Sequence, residues 1–160
     1  MARTVVGLIA DTHGLLRPEA VDAFQGCAHI VHAGDIGSRT GEPRDVLDAL
    51  ARIAPLTVVR GNNDRAGWAA QIPYTAEIEF ERVRIHVLHI LGELAIDPVA
   101  AGVKVVVSGH SHQPCVETRD GVLFVNPGSA GPRRFKLPVS VARLWVEDGC
   151  VEAELVTLLR

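Results

Sequence analysis

The chain is poor in the residues that staple or coat small proteins. Cysteine occurs three times in 160 residues, at Cys27, Cys115 and Cys150, never at Cys-x-x-Cys spacing. Thiols this few, odd in number and widely spread exclude a disulfide framework or a thiolate zinc site, and are expected to be buried structural cysteines. Aromatic residues make up 4% against 48% hydrophobic, so the core should be mostly Val, Leu, Ile and Ala. Lysine appears only as Lys104 and Lys136, the arginines are scattered, and the net charge is −3. Duplex binding rests on many Lys/Arg–phosphate contacts, so this composition argues against stable association with nucleic acid. No stretch approaches the roughly 18 uncharged apolar residues of a membrane span, and no apolar leader precedes a cleavage site. The expectation is a cytoplasmic protein of one domain, residues 1–160, able to bury a core without staples.

What is present falls into two halves. The first alternates strand and helix: Thr4–Ala10, helix Pro18–Phe24, His29–Ala33, helix Pro43–Ile53, Leu56–Val59. Pro18 suits a first helical turn, and Val46, Leu47, Leu50 and Ile53 form one stripe at helical spacing. Such βαβαβ alternation predicts parallel pairing with right-handed crossovers. The second half is rich in hairpins, with strands Thr75–Phe80 and Val83–His89 meeting across Glu81-Arg82. Two further pairs meet across Asp120-Gly121 and Asp148-Gly149, both strong two-residue turn signals. A helical stretch over Gly92–Ala101, interrupted at Asp97-Pro98, is expected before the Val-rich strand that ends at Ser108. The predicted fold is α/β: two mixed sheets packed face to face, with helices outside.

Four short segments place hard metal ligands just after apolar, β-branched runs. They are Asp11-Thr12-His13, Gly34-Asp35, Gly61-Asn62-Asn63-Asp64 and Gly109-His110-Ser111-His112. Ligands at the carboxyl ends of neighbouring strands in an open α/β sheet converge on one crevice. Carboxylate, amide oxygen and imidazole without thiolate suit Mn, Zn, Fe or Ni. A dinuclear centre needs a bridging carboxylate, and Asp35, alone after Gly34, is the natural one. Asp11 and His13 sit two apart, so in an extended segment both side chains point the same way. His110 and His112 repeat that spacing, Asn62 adds a neutral oxygen, and His89 at a strand end is the candidate for the last ligand.

In this order, Asp11-x-His13, Gly34-Asp35, Gly61-Asn62-x-Asp64, His89 and Gly109-His110-x-His112 resemble the calcineurin-like metallophosphoesterase superfamily. The short length, with Val125-Asn126-Pro127-Gly128-Ser129 and Pro132-Arg133, is similar to its small single-domain prokaryotic phosphodiesterases. The resemblance runs from about Val5 to Val146 and implies a four-layer αββα sandwich. It implies two divalent cations, Mn foremost with Ni, Zn, Fe or Mg as alternatives. One would be held by Asp11, His13, Asp35 and His112, the other by Asp35, Asn62, His89 and His110. It also implies hydrolysis of a small phosphodiester or nucleotide-like substrate, by in-line attack of a hydroxide between cations about 3.5–4 Å apart. Asn62 would further bond a phosphate oxygen, and Asp64 would stand behind the ligands, accepting from His13 or another imidazole. His32, close before Asp35, is given a structural role with a share in supporting the site.

The pattern departs from the family at two places. Asn63 stands where many members carry a His that protonates the leaving group, which biases the enzyme toward good leaving groups. Ile90 follows His89 where Gly is usual, with His86, on the opposite strand face, as the fallback ligand. These departures keep two alternatives open. One is a scaffold or binding protein on the same fold, as in a eukaryotic trafficking-coat subunit of this family, and the other is a phosphomonoesterase. Asn126-Pro127-Gly128 is expected to be a turn bracing the site and Arg133-Arg134 a solvated loop. An exposed edge strand would allow pairing between chains.

Overall fold

The computed structural model describes residues 3–37, 43–65, 67–134 and 136–159. Ten strands form two five-stranded sheets. The first half of the chain supplies β1 (Thr4–Ile9), α1 (Pro18–Ala23), β2 (His29–His32), α2 (Pro43–Ala51) and β3 (Leu56–Val58). The second supplies β4 (Thr75–Phe80), β5 (Val83–Leu88), β6 (Val105–Val107), β7 (Cys115–Arg119), β8 (Val122–Asn126), β9 (Val139–Glu147) and β10 (Cys150–Leu159). Sheet order is β10-β9-β1-β2-β3 in one layer and β4-β5-β6-β8-β7 in the other. The parallel pairing expected for β1, β2 and β3 is present, and so are all three hairpins. Both sheets are mixed, because β9 runs antiparallel to β1 while β5, β6 and β8 run parallel.

Strand alternation accounts for the layering. Val6, Leu8, Val31, Val59 and Leu144 of the first sheet meet Val83, Ile85, Val87, Val105, Val107 and Val125 of the second in one aliphatic interior. The odd residues of β1 and their neighbours, Ile9 and Ile30 among them, turn outward against Ala20 of α1, Phe24 just after it, and Val46 and Leu50 of α2. Gly7 permits that packing, since a Cβ there would lie 2.7 Å from the Phe24 ring. Near-complete burial of these branched side chains contributes about 1.5–3 kcal/mol each.

The outer cover of the second sheet differs from expectation. Leu88, Val106 and Val122 are buried by Leu91, Leu94, Ile96 and Ala101, but Gly92–Ala101 is not a helix. It holds one 3₁₀ turn, Leu91–Glu93, followed by a turn in which the Ala101 N–H donates to Asp97 O and Val103 N–H to Pro98 O. Pro98 lacks an amide hydrogen and restrains Asp97 before it, so a helix cannot run through this point. The cysteines are also corrected in part, with Cys27 buried but Cys115 and Cys150 exposed. The latter two lie on β7 and β10, edge strands whose outward residues face solvent. Among the described residues no helix is long and apolar enough to cross a membrane.

Candidate metal centre

The carboxyl ends of β1, β2, β5 and β6 meet at one end of the sandwich, and the loops leaving them run side by side. Asp11 N–H donates to Gly34 O (3.0 Å), His13 N–H to Asp35 O (3.0 Å) and Gly109 N–H to His89 O (2.9 Å). These bonds continue the strand ladders past their ends and align the Asp11 loop with the Asp35 loop and the Gly109 loop with His89. Gly34 and Gly61 make the approach possible. Gly34 holds φ +104, and a Cβ on Gly61 would collide with the backbone and carboxylate of Asp35.

Five residues of these loops, Asp11, His13, Asp35, His110 and His112, hold positive φ between 46 and 73°. That region costs a non-glycine residue about 1–3 kcal/mol and persists only where surroundings impose it. Here it turns alternate side chains inward together.

The imidazole nitrogens converge on two buried carboxylates. His89 Nε2 lies 3.2 Å from Asp35 Oδ2 and 3.8 Å from Asp11 Oδ1. His112 Nε2 lies 3.6 Å from Asp11 Oδ1, and His13 Nε2 lies 3.9 Å from Asp11 Oδ1 and 3.8 Å from Asp35 Oδ2. Two sets emerge whose ligand atoms could each hold an ion: Asp11, His13 and His112, and Asp11, Asp35 and His89. His110 and Asn62 stand alongside, joined by a 3.0 Å bond from His110 Nδ1 to Asn62 Oδ1. The His110 ring packs edge-on to that of His89 at 5.3 Å.

Contacts behind the ligands decide protonation and orientation. His89 Nδ1 lies 2.7 Å from the Ala33 carbonyl, which can only accept, so Nδ1 carries a proton and Nε2 is the nitrogen turned toward the carboxylates. Burial opposes the charged ring, but the Asp35 and Asp11 carboxylates outweigh it and raise the His89 pKa above the ordinary value. His32 accepts from Gly34 N–H at Nδ1 (3.1 Å) and donates from Nε2 to Thr12 Oγ1 (2.9 Å), which donates to Ile36 O (2.8 Å). That chain ties the Asp11 loop to the Asp35 loop, and burial lowers the His32 pKa to about 3, so it stays neutral.

Asp64 differs from its expected partner. Its carboxylate accepts from the backbone N–H groups of Asp35 (3.0 Å), Ile36 (3.0 Å) and Gly61 (2.8 Å), not from an imidazole. Those three donors converge because the loop turns tightly around Gly61, leaving no room for a ring between. His86 is no fallback ligand. It is bonded to Glu77 Oε2 at 3.1 Å on the outer face of its sheet. Asn63 clamps Asp35, donating from its backbone N–H to Oδ1 (2.9 Å) and from Nδ2 to Oδ2 (3.0 Å).

The turn at Asn126-Pro127-Gly128 braces the opposite flank. Asn126 Nδ2 donates to Gly109 O (3.0 Å), Ser129 Oγ to Asp11 O (3.1 Å), and Ala130 N–H to Ala10 O (3.1 Å). Thr12 and Ser129 are supporting residues that sequence reasoning misses, since a lone hydroxyl carries no signal until its partner is placed. Arg134 is exposed, as a solvated loop residue should be. Burial dominates the titration of Asp11, His13 and His112, and the Arg134 charge adds a smaller downward pull on each.

The electrostatics are those of a cation site. Burial pushes the Asp11 carboxyl up to about 7, with His89 opposing and the Asp35 charge adding to it. Burial also acts on Asp35, but the His89 ring, the Asn63 N–H and His13 outweigh it and bring the group to about 2. Burial lowers His112 to about 4, leaving it a neutral donor at pH 7. Asp11 Oδ1 is buried with no hydrogen-bond partner, facing three imidazole nitrogens. A buried carboxylate oxygen without a donor costs several kcal/mol unless a cation or proton meets it. The donor set of carboxylate oxygen and imidazole fits a divalent cation of the Mn, Zn, Fe or Ni kind.

Residues 5–149 match the calcineurin-like phosphoesterase superfamily domain, and the chain belongs to that family. A probable metallophosphoesterase of Methanothermobacter thermautotrophicus is 34% identical, the match covering 95% of this chain and 91% of that protein. An archaeal phosphodiesterase superposes with a TM-score of 0.76 at 21% identity, covering 96% of this chain and 100% of its own. Wild-type Vps29 from Entamoeba histolytica, solved with zinc, superposes with a TM-score of 0.73 at 21% identity, covering 97% and 99%. The structural likenesses establish the fold, and the family match establishes membership of the calcineurin-like phosphoesterase superfamily.

Proposed function

We propose that this chain, as one domain over residues 1–160, is a phosphodiesterase dependent on two divalent cations. The observation that carries the reading is the buried, donor-less Asp11 Oδ1 set among the Nε2 atoms of His13, His89 and His112. One cation would be held by Asp11, His13, Asp35 and His112, the other by Asp35, Asn62, His89 and His110. Two such cations, when bound, clamp phosphate oxygens and supply a nucleophile from water at neutral pH.

The chain's own residues prepare that chemistry. The Ala33 carbonyl and the Asn62 amide fix the ring faces of His89 and His110. Asn63 and the Asp64-held backbone set the angle of the Asp35 carboxylate. The Asn62 amide stands at the rim, where it can donate to a phosphate oxygen. Asn63 has no proton to deliver to a departing alkoxide, so good leaving groups are favoured.

The test uses metal-stripped protein refilled with Mn, Ni, Zn or Mg in turn, with bis(4-nitrophenyl) phosphate as substrate. Turnover should return with metal, Mn foremost, and Asp35→Asn should lower kcat/KM by about 10³-fold or more, a loss of about 4 kcal/mol or more in transition-state stabilisation. A scaffold role is the second reading, favoured by the missing leaving-group acid at Asn63. It predicts bound metal and intact folding with no turnover under any metal. A 4-nitrophenyl monoester turned over faster than the diester would instead mark a phosphomonoesterase.

A further inference from the structure

Two grooves open on either side of Ile90, the residue that replaces the usual glycine after His89. One, of about 440 Å³, runs from His110 past Pro114 to Phe124. The other, of about 270 Å³, runs from Asn62 and His89 to Tyr74. Ile90 lines both, and the Asn62–His110 hydrogen bond joins their inner rims. Metal-ligand candidates therefore sit at the mouth of each groove, with a single aliphatic ridge between the two.

Each groove also carries an aromatic ring steadied by an arginine. Arg60 lies 4.4 Å over the Tyr74 ring, donates to Tyr74 Oη at 2.9 Å and is itself anchored to Ile72 O at 3.2 Å. Tyr74 nonetheless remains 67% exposed, the most exposed large hydrophobic side chain described. Arg119 lies 5.1 Å over the Phe124 ring and is held by Glu117 at 2.8 Å. A guanidinium over one face steadies a ring for stacking. Tyr74 presents its open surface to one groove, and Phe124, half-buried against the cluster of Leu88, Val106 and Val122, forms part of the wall of the other. The same device on both sides of one phosphate-binding centre matches a ligand with two arms.

We propose that the substrate is a phosphodiester bearing a planar ring on each arm, laid across Ile90 with one ring on Tyr74 and the other on Phe124. The proposal rests on the phosphodiesterase reading above. The two ester oxygens of a diester anion at the Asn62–His110 rim diverge from one tetrahedral phosphorus, so that each can lead its arm into a separate groove. A monoester or a methyl ester fills only one of them.

Binding of unactivated diphenyl phosphate and methyl phenyl phosphate to the Mn-loaded protein, read by calorimetry, separates these cases. Diphenyl phosphate should bind about tenfold more tightly, the expected gain for one additional stacked ring. Tyr74→Ala and Phe124→Leu should each remove most of that gain, whereas methyl phenyl phosphate should weaken in only one of them. Equal affinities, no binding of either ester, or sensitivity of diphenyl phosphate to one variant alone would overturn the proposal. Hydrolysis of bis(4-nitrophenyl) phosphate measured in parallel keeps the two readings apart. Turnover without the affinity gain removes the two-ring substrate and leaves the phosphodiesterase. The gain without turnover under any metal removes the phosphodiesterase and leaves a two-ringed diester as ligand.

Discussion

Among the described residues, nine non-glycine positions hold positive φ, and they divide between the two ends of the sandwich. Asp11, His13, Asp35, His110 and His112 lie beyond the carboxyl ends of the parallel strands. Glu81, Arg82, Asp120 and Asp148 lie at the other end, in the tips of the three hairpins. At the tips the left-handed conformation is local. A two-residue turn with both central φ positive matches the right-handed twist of its strands, and Asp-Gly adopts it readily. Glu81-Arg82 suits that turn less well and is supported from outside, by Gly149 N–H donating to Glu81 O at 2.7 Å and by the Arg82–Asp148 ion pair. At the ligand end local bonds close the His110–His112 loop, where Ser111 N–H donates to Gly109 O at 2.8 Å and Gln113 N–H to Ser111 Oγ at 3.2 Å; the conformation of the turns at Asp11 and Asp35 is not imposed locally. It is held by bonds from other loops: Gly34 O, Asp35 O, the Asp64 carboxylate and the Asn126 turn. Strain at the tips is turn chemistry; at the site it is stored by the tertiary structure.

That contrast can be broken most severely at Asp64. Asp64→Ala strands three buried N–H donors, each worth about 1–3 kcal/mol, and should destabilise the fold by about 3 kcal/mol or more in chemical denaturation. A loss under about 1 kcal/mol would mean that the ligand loops hold themselves, as the tips do. Asn63→Ala removes one bond to Asp35 Oδ2 and keeps the backbone bond to Oδ1. Metal titration should show affinity lowered about 10–100-fold with little change in Tm. Unchanged affinity would show that the Asn63 side chain does not set the Asp35 carboxylate.

The His32 chain sharpens the comparison through pH. Burial holds its folded pKa at about 3, below the ordinary histidine value of 6.5. Between those values the unfolded chain binds a proton that the folded protein does not, so stability falls as pH falls. The full contribution is present above 6.5 and is lost progressively toward 3. In His32→Gln the slope of unfolding free energy over that window should be shallower by up to about 1.4 kcal/mol per pH unit. Equal slopes would remove His32 from the linkage. The smallest effect belongs to the other end. Asp120→Gly should change stability by no more than about 0.5 kcal/mol and leave activity unchanged, because glycine takes the same φ freely.

Much of this architecture is legible in the amino-acid sequence, and the limits of that legibility follow from particular residues. Parallel β1, β2 and β3 and the turns at Asp120-Gly121 and Asp148-Gly149 are written in short-range periodicity and turn chemistry. The candidate ligand positions stand out because each follows a β-branched run. The bond from Asp64 to three backbone donors does not stand out, nor does the capture of Asp35 by Asn63, since either carboxylate or amide could meet many partners. The segment Gly92–Ala101 misleads because its apolar residues mimic a helical stripe, while Pro98 and the covering of Leu88 and Val106 decide against one.

Alternating strands, an aliphatic interior, hairpin tips and an ordered set of hard ligands are all encoded locally, because each depends on neighbours a few residues away. The return of β9 to pair with β1 is not encoded that way; it emerges only once the sheets assemble. The same holds for the grip of Asn63 and Asp64 on the Asp35 loop, the locking of two loops by a neutral His32, and the parting of two grooves by Ile90. Those outcomes join residues far apart in the chain, and no local pattern specifies which distant donor a given acceptor will meet.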